Sequence, residues 1–572
     1  MQAQLQAIFA KLKAGDFVSA AKQARQSVKK YPKEPAFRKF AGVALRLSGR
    51  PKEALKFLAE ANKATPGDLE IRQHLIGTLV SLDQTEKANS LLSKWLDASP
   101  TDVQLSLLAA GTQLELGSLE AALGNAQRAI AIAPENTQAR SFLALILFEM
   151  RNFREACAEF EKVTLAAPMN AEAHGNYGSA LNELHRFEDA TAAFGKAVKL
   201  APENVDYRYS LALLQSQLAQ FEAAKRNFQR IIKTTPAHDD SISSLVEISS
   251  EDEIPSLRLV CEKALKDKNL SEEQRAAIEL SLAKALLKQG KTDAALEQFQ
   301  VSNVRRARAL PYDRKRADAD FKAALNWSEK NPTSFESHAQ ASSITKIFVI
   351  GMPRSGTTLA ELMISNHSRV QGLGEFGINT RFDDFEADPI ALASHYVNEM
   401  PDLPAGTQAV VDKTPGQYET AGKIAECFPE ARFINICRDP REIAFSMWQR
   451  HLSGWRTYYT SDMRWIAHAL NNYRKYTQLW ETQLGQRFVS IKYADLVKDP
   501  EAATRHLASF CDLEWEPAMA RPETNPQSVA TASISEVRSE IHTRSLGKWR
   551  AHADLMRPLV DNLDPDLWPD LD

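Results

Sequence analysis

Three stretches in the C-terminal part of this 572-residue chain carry residue types that can hold and move an anionic group. The first, Gly351-Met-Pro-Arg-Ser-Gly-Thr-Thr358, follows the β-branched run 344–350 and enters an apolar helical segment with Leu359, Leu362 and Met363. Strand, Gly-rich turn and helix start in that order aim successive backbone N–H groups and a helix dipole at one point, an anion cradle. The two glycines have the G-x-x-x-x-G spacing of a nucleoside triphosphatase, but Thr357 stands where that motif requires lysine. A bond between β- and γ-phosphates would lose its main cation there, and Arg354 puts positive charge elsewhere in the loop. The second stretch is a strand-like run, 431–437, that ends in Arg438-Asp-Pro-Arg441. Asp439 is placed to cap a helix and Pro440 to occupy its first turn. Ser446 and Arg450, four apart, share a face of that helix. The third, Val410-Val-Asp-Lys413, reads as a strand ending in a cation.

These motifs resemble the sulfotransferases that use 3′-phosphoadenosine 5′-phosphosulfate (PAPS), over about residues 344–550. The loop resembles their 5′-phosphosulfate loop, which implies donor contacts from Pro353, Arg354, Ser355, Gly356, Thr357 and Thr358. Arg438 and Ser446 match the 3′-phosphate site, and Arg450 matches a further basic position there. Tyr493, at the end of a strand-like run, matches a nucleotide-contacting tyrosine. Ser533, Ser545 and Lys548 fall in segments that look like the part closing over the cofactor. Glu375, 21 residues after Arg354, matches the catalytic glutamate of the protein-tyrosine branch. The resemblance implies in-line sulfuryl transfer from PAPS to an acceptor hydroxyl, leaving adenosine 3′,5′-bisphosphate, with no metal. Glu375 would take the acceptor proton, while Arg354, Lys413, Ser446 and the loop amides neutralise developing charge. Histidine is the base in other branches, so His367 and His451 are rivals. The tyrosine-sulfating branch has a second acid beside its base, where this chain has Gly374, and the acceptor therefore stays open.

The elements that must carry this site begin with a long ruler. Pro32, Pro66, Pro100, Pro134, Pro168, Pro202 and Pro236 stand 34 residues apart, each preceded twelve residues earlier by an alanine, from Ala20 to Ala224. Two helices per repeat, small residues where they approach and a proline stop account for both columns. The pattern resembles the tetratricopeptide repeat, most fully over residues 171–204. The phase then breaks, and Ala283, Ala295 and Phe299 restore the spacing once. The reading is seven helix pairs over 1–236, an irregular helical spacer and an eighth or capping repeat over 237–310, a helical and polar linker over 311–343, and the sulfotransferase-like domain over 344–572. The fold class is thus an all-α solenoid followed by an α/β, P-loop-like domain with a central, mostly parallel sheet. The basic run Val304-Arg-Arg-Ala-Arg and Arg314-Lys-Arg, diluted by Asp313, Asp318 and Asp320, reads as a solvated helix.

Composition excludes several classes. Apolar residues at 44% and charged residues at 25% are those of a globular protein. A net charge of −3 disfavours a bulk-charge nucleic-acid binder. Five scattered cysteines make neither a disulfide scaffold nor a C-x-x-C site. The N-terminus lacks a signal-peptide core and no run is apolar enough to span a membrane, so a cytoplasmic location is expected. The functional expectation is a sulfotransferase whose array recruits a protein or peptide acceptor for sulfation on tyrosine. The alternatives are a carbohydrate or small-molecule acceptor with the array serving assembly, homo-oligomers included. A P-loop phosphotransferase and a non-catalytic scaffold come behind these.

Overall fold

The computed structural model describes residues 1–331, 344–380, 382–452, 454–525, 541–544, 546–569 and 571. They form two compact units, Met1–Glu183 and Leu184–Asp572.

In the first unit each helix packs on its sequence neighbours. Every second helix starts on the ruler, at Phe17, Pro51, Thr85, Leu119 and Phe153. The alanine column Ala20, Ala54, Ala88, Ala122 and Ala156 is fully buried, as close helix approach requires. Asp68, Asp102 and Asn136 cap helices by accepting N–H bonds from Ile71, Leu105 and Ala139. Between the helices of a pair one residue takes a left-handed conformation: Gly15, Gly49, Asp83, Gly117 and Arg151, again at intervals of 34 residues.

The second unit opens with helices of the same kind, Phe187–Leu200, Val205–Gln217 and Phe221–Thr234, with Ala190 and Ala224 fully buried. The irregular spacer holds Asp239–Ile248 and Ile254–Ala264, and the restored repeat is the pair Glu272–Lys288 and Thr292–Ala309. Ser271 and Gln274 start that pair with a capping box.

A five-stranded parallel sheet follows: β1 (Thr345–Ile350), β2 (Val370–Gly374), β3 (Ala409–Asp412), β4 (Arg432–Cys437) and β5 (Phe488–Lys492), in the order β2-β3-β1-β4-β5. The chain leaves β1 toward β2 on one side, while β4 lies on the other side of β1, so a crevice opens beyond their C-terminal ends. The two-residue period of β1 divides its side chains. Ile347 and Val349 pack with Ile364, Ile434 and Ile436 on one face, and Phe348 and Ile350 with Phe433 and Val410 on the other.

That second face is continuous with the helices before the sheet. Phe299 packs on Trp448 with ring centroids 5.7 Å apart, and Asn303 donates to the Trp448 carbonyl at 2.7 Å. Helix Arg314–Lys330, inside the stretch read as linker, buries Ala324 and Trp327, with Trp327 set 6.2 Å from Trp480. The basic run is exposed as expected at Val304, Arg308 and residues 314–316, but not at Arg305 and Arg306. Arg305 pairs with Glu272 and Glu279, and Arg306 is buried, donating to Thr460, Ser461 and the Leu452 carbonyl. The pattern misleads because a guanidinium given several acceptors can be buried, and charge counting does not see those acceptors.

Candidate active site

The loop after β1 turns through left-handed backbone at Arg354 (φ 69°) and Gly356 (φ 107°) before helix Thr357–Ser365 begins. A Cβ on Gly356 would collide with the ring of Tyr493, which follows β5 at the start of helix Tyr493–Lys498. Close approach of two segments is what glycine allows here. The Tyr493 ring also carries the Arg438 guanidinium, 4.2 Å from its centroid. Arg438 sits at the end of β4, donates to the Arg354 carbonyl at 3.2 Å and pairs with Glu442 at 2.8 Å. Asp439 caps helix Pro440–Trp448 as its sequence indicates, accepting from the Arg441 N–H at 2.8 Å. The same helix brings Ser446 to Arg354, whose Nε donates to Ser446 Oγ at 3.0 Å. Two motifs 92 residues apart thus meet in one crevice.

The carboxylate site lies on the same sheet edge. The Lys413 N–H donates to the Gly374 carbonyl at 2.8 Å, which ties the ends of β3 and β2. Lys413, 1% exposed, donates through Nζ to Glu375 Oε1 at 2.6 Å, and the Glu375 side chain is 38% exposed. The Gly351 N–H bonds the Pro415 carbonyl at 3.3 Å, linking this edge to the loop. Behind the pair stand two buried carboxyls. Glu361 accepts the Gly374 N–H at 2.8 Å, and burial pushes its carboxyl up to about 7 against the pull of Lys413. Asp412 accepts from Thr414 at 2.8 Å and Tyr396 at 3.0 Å, and burial pushes it up to about 6 despite those donors.

Most expected residues therefore converge: Arg354, Gly356, Arg438, Ser446 and Tyr493 in one cluster, and Glu375 with Lys413 in the next. Pro353, Ser355, Thr357 and Thr358 lie in the loop and the helix start. Lys548 begins the short helix Lys548–His552, whose Trp549 stacks under Arg441 at 4.3 Å. Arg450 pairs with Glu247, from helix Asp239–Ile248, at 3.4 Å. Burial alone would raise Glu247, yet Lys284 (3.1 Å) and Arg450 hold it down at about 2. Ser533 and Ser545 lie outside the described residues.

The two rival histidines are buried or bonded against other segments. His367 bonds the Glu514 carbonyl (2.8 Å) and the Arg369 N–H (3.1 Å). His451 faces Ser302 at 3.2 Å, and burial pushes its imidazole well down. Sequence reasoning missed Glu361, Glu247, Lys284 and His185. Glu361 had a signal, being the lone charge in the apolar helix Thr357–Ser365. His185 had another, since it stands on the ruler position filled by Gly15, Gly49 and Gly117. Its ring lies 6.2 Å from that of Phe376, the residue after Glu375.

The group implied by the resemblance, PAPS, fits this cradle on one internal test. Ser355 Oγ is fully buried in the loop without a hydrogen-bond partner, a donor placed for an oxyanion. The cations around it are those an anionic nucleotide needs.

Comparison with known proteins agrees with the geometry. The family model described as Sulfotransferase family matches residues 346–389 and 378–517, and tetratricopeptide-repeat models match 10–68, 45–111 and 143–205. The chain thus joins tetratricopeptide repeats to a domain of the sulfotransferase family. An uncharacterized protein of Aquifex aeolicus is 30% identical over 38% of this chain and 32% of its own length. A putative protein-tyrosine sulfotransferase of Caenorhabditis briggsae is 26% identical over 36% of this chain and 80% of its own. The protein-tyrosine sulfotransferase of Drosophila melanogaster is 21% identical over 38% and 49%. The chain therefore spans about a third of the first relative and about half of the third.

Proposed function

We propose that this protein is a sulfotransferase that moves a sulfuryl group from PAPS, in line, to the hydroxyl of a tyrosine in a protein or peptide recruited by its repeats. The observation that carries the reading is the Arg354–Ser446 contact, which joins the expected 5′-phosphosulfate and 3′-phosphate motifs in one crevice. PAPS, when bound, supplies a sulfuryl group on a phosphate leaving group.

The chain's residues do the rest. Arg354, Ser355 and the N–H groups of Gly356, Thr357 and Thr358 hold the anionic oxygens at the helix start. Arg438, Ser446 and Arg450 hold the 3′-phosphate, and Tyr493 shapes the nucleotide side of the crevice. Glu375 takes the acceptor proton on a carboxylate oxygen. Lys413 keeps that carboxylate on the sheet edge and places a cation beside the transfer path. Each positioned donor of this kind is worth about 2.7–4 kcal/mol in comparable sites.

Calorimetry on the full chain tests the reading. Adenosine 3′,5′-bisphosphate is expected to bind more tightly than ATP, because Thr357 replaces the lysine that a triphosphate needs. The reverse order would sink it. Labelled PAPS in a cell extract then reads the acceptor. Label in protein tyrosine supports the reading, and label in glycan moves the acceptor to a carbohydrate.

A further inference from the structure

His185 lies in the turn between two helices of a repeat, far in sequence from every motif above, yet it stands beside the carboxylate site. A Cβ on Gly374 would come to 3.6 Å from its Cε1 and 3.9 Å from its Nδ1, in ordinary contact. Its ring is 6.2 Å from Phe376 at 64°, and 5.4 Å from Phe187, the first residue of the next helix. The imidazole thus covers the Gly374–Phe376 turn that carries Glu375.

The backbone sharpens the point. His185 has φ 57°, a conformation in which a β-carbon is strained by about 1 kcal/mol or more. Gly15, Gly49 and Gly117 relieve that strain at equivalent positions of other repeats, while Asp83, Arg151 and Ala219 bear it as His185 does. At this position the residue carries a ring that reaches the site and lies against Gly374.

We propose that His185 is a positioning residue of this site: its imidazole, delivered by the repeat turn, holds the Gly374–Phe376 turn and aims the Glu375 carboxylate at the acceptor hydroxyl. The inference rests on the sulfotransferase reading. Within it, the turn at His185 is a wall of the catalytic centre. Electrostatics support the placement. Burial lowers the affinity of the imidazole for a proton, Glu375 opposes that, and Lys413 reinforces it, so both members of the Glu375–Lys413 pair act on the ring.

The test uses the full chain and two variants that tolerate left-handed backbone. His185→Gly restores the residue found in other repeats, so loss of folding is not its expected effect. His185→Asn keeps a polar group near the place of Nδ1. Transfer from PAPS to N-acetyltyrosinamide is measured beside calorimetry with adenosine 3′,5′-bisphosphate. His185→Gly is expected to keep bisphosphate affinity within about twofold and to lose about 10- to 10²-fold in kcat, the scale of a misplaced catalytic group. His185→Asn is expected to recover most of it, and His185→Gly is expected to add no further loss to Glu375→Ala. Wild-type kcat in His185→Gly, or losses that multiply in the double variant, would overturn the proposal.

A measurement without acceptor gives a second decision. The His185 ring resonance, titrated by NMR, is expected to show its midpoint at lower pH in Glu375→Gln, since the charge that favours protonation is gone. An unmoved midpoint refutes contact between ring and base even where N-acetyltyrosinamide proves a poor acceptor. Failure of the sulfotransferase reading looks different: the wild-type chain itself would prefer ATP to the bisphosphate.

Discussion

At the scale of single residues, the Glu375–Lys413 pair and the carboxyls behind it carry the sharpest expectations. Glu375→Ala is expected to bind adenosine 3′,5′-bisphosphate as the wild type does, because Glu375 lies apart from the Arg354–Ser446–Arg438 cluster. Turnover should fall about 10²- to 10⁴-fold, the range for loss of a general base. Glu361 gives a stability signature. Burial raises its folded-state value from the ordinary carboxylate range to about 7, so the folded protein holds a proton that the unfolded chain releases. Stability from this group is complete at acid pH and is lost as pH rises through about 7. A shift of that size corresponds to about 3 kcal/mol. Glu361→Gln keeps an oxygen for the Gly374 N–H and stays neutral. Its melting temperature is therefore expected to exceed the wild type's at pH 8 and to match it near pH 4, as differential scanning fluorimetry across pH would read.

At the scale of elements, the site depends on how closely a strand-end loop and a helix start can approach their neighbours. Gly356 is where the loop enters helix Thr357–Ser365, with φ 107° and the Tyr493 ring against its Cα. Gly356→Ala both strains the turn and drives Tyr493 off, which withdraws the surface under Arg438. A strain of about 1–3 kcal/mol converts to roughly a 5- to 150-fold loss of bisphosphate affinity if the loop must recover its shape to bind. Unchanged affinity by calorimetry would show that the loop binds in another conformation. The helices Asp239–Ile248 and Glu272–Lys288 also reach the site, because Glu247 bridges Lys284 and Arg450. Lys288 secures the first of them by donating to the Val246, Glu247 and Ser249 carbonyls, which its helix end leaves without partners.

At the scale of the whole molecule, the last repeats of the second unit share the core of the domain built on the parallel sheet. Phe299, Asn303 and Arg306 make the attachment through Trp448, Leu452, Thr460 and Ser461. A chain begun at residue 311 would expose the Trp448 surface that Phe299 covers and strip donors from buried acceptors, each costing about 1–3 kcal/mol. Such a chain is expected to be insoluble or to lack a cooperative thermal transition by circular dichroism. A folded and bisphosphate-binding fragment would show that the sheet domain stands alone. Repeats can thus serve in two ways, with regular copies that pack on each other and final copies that pack on the sheet.

Much of this was legible in residue spacing. The 34-residue ruler dictates paired helices because a proline can stop a helix only where its missing N–H is tolerated, and small residues such as alanine let helices approach closely. The β-branched runs before Gly351 and Arg438 dictate strands that end in turns leading into helix starts, whose backbone N–H groups need no tertiary partner to point outward. The family resemblance singled out Glu375, and its place at the end of a strand-like run singled out Lys413. Tertiary structure alone decided what meets what. It took a parallel sheet with β1 between β3 and β4 to bring Ser446 to Arg354, and Lys413 to Glu375. It took a shared core to bury Arg306, which its charged neighbourhood marks as solvated. Sequence periodicity records the neighbours a residue has on its own element. The environment of Glu361, the partner of Arg450 and the reach of His185 come from other elements, and no local pattern encodes them.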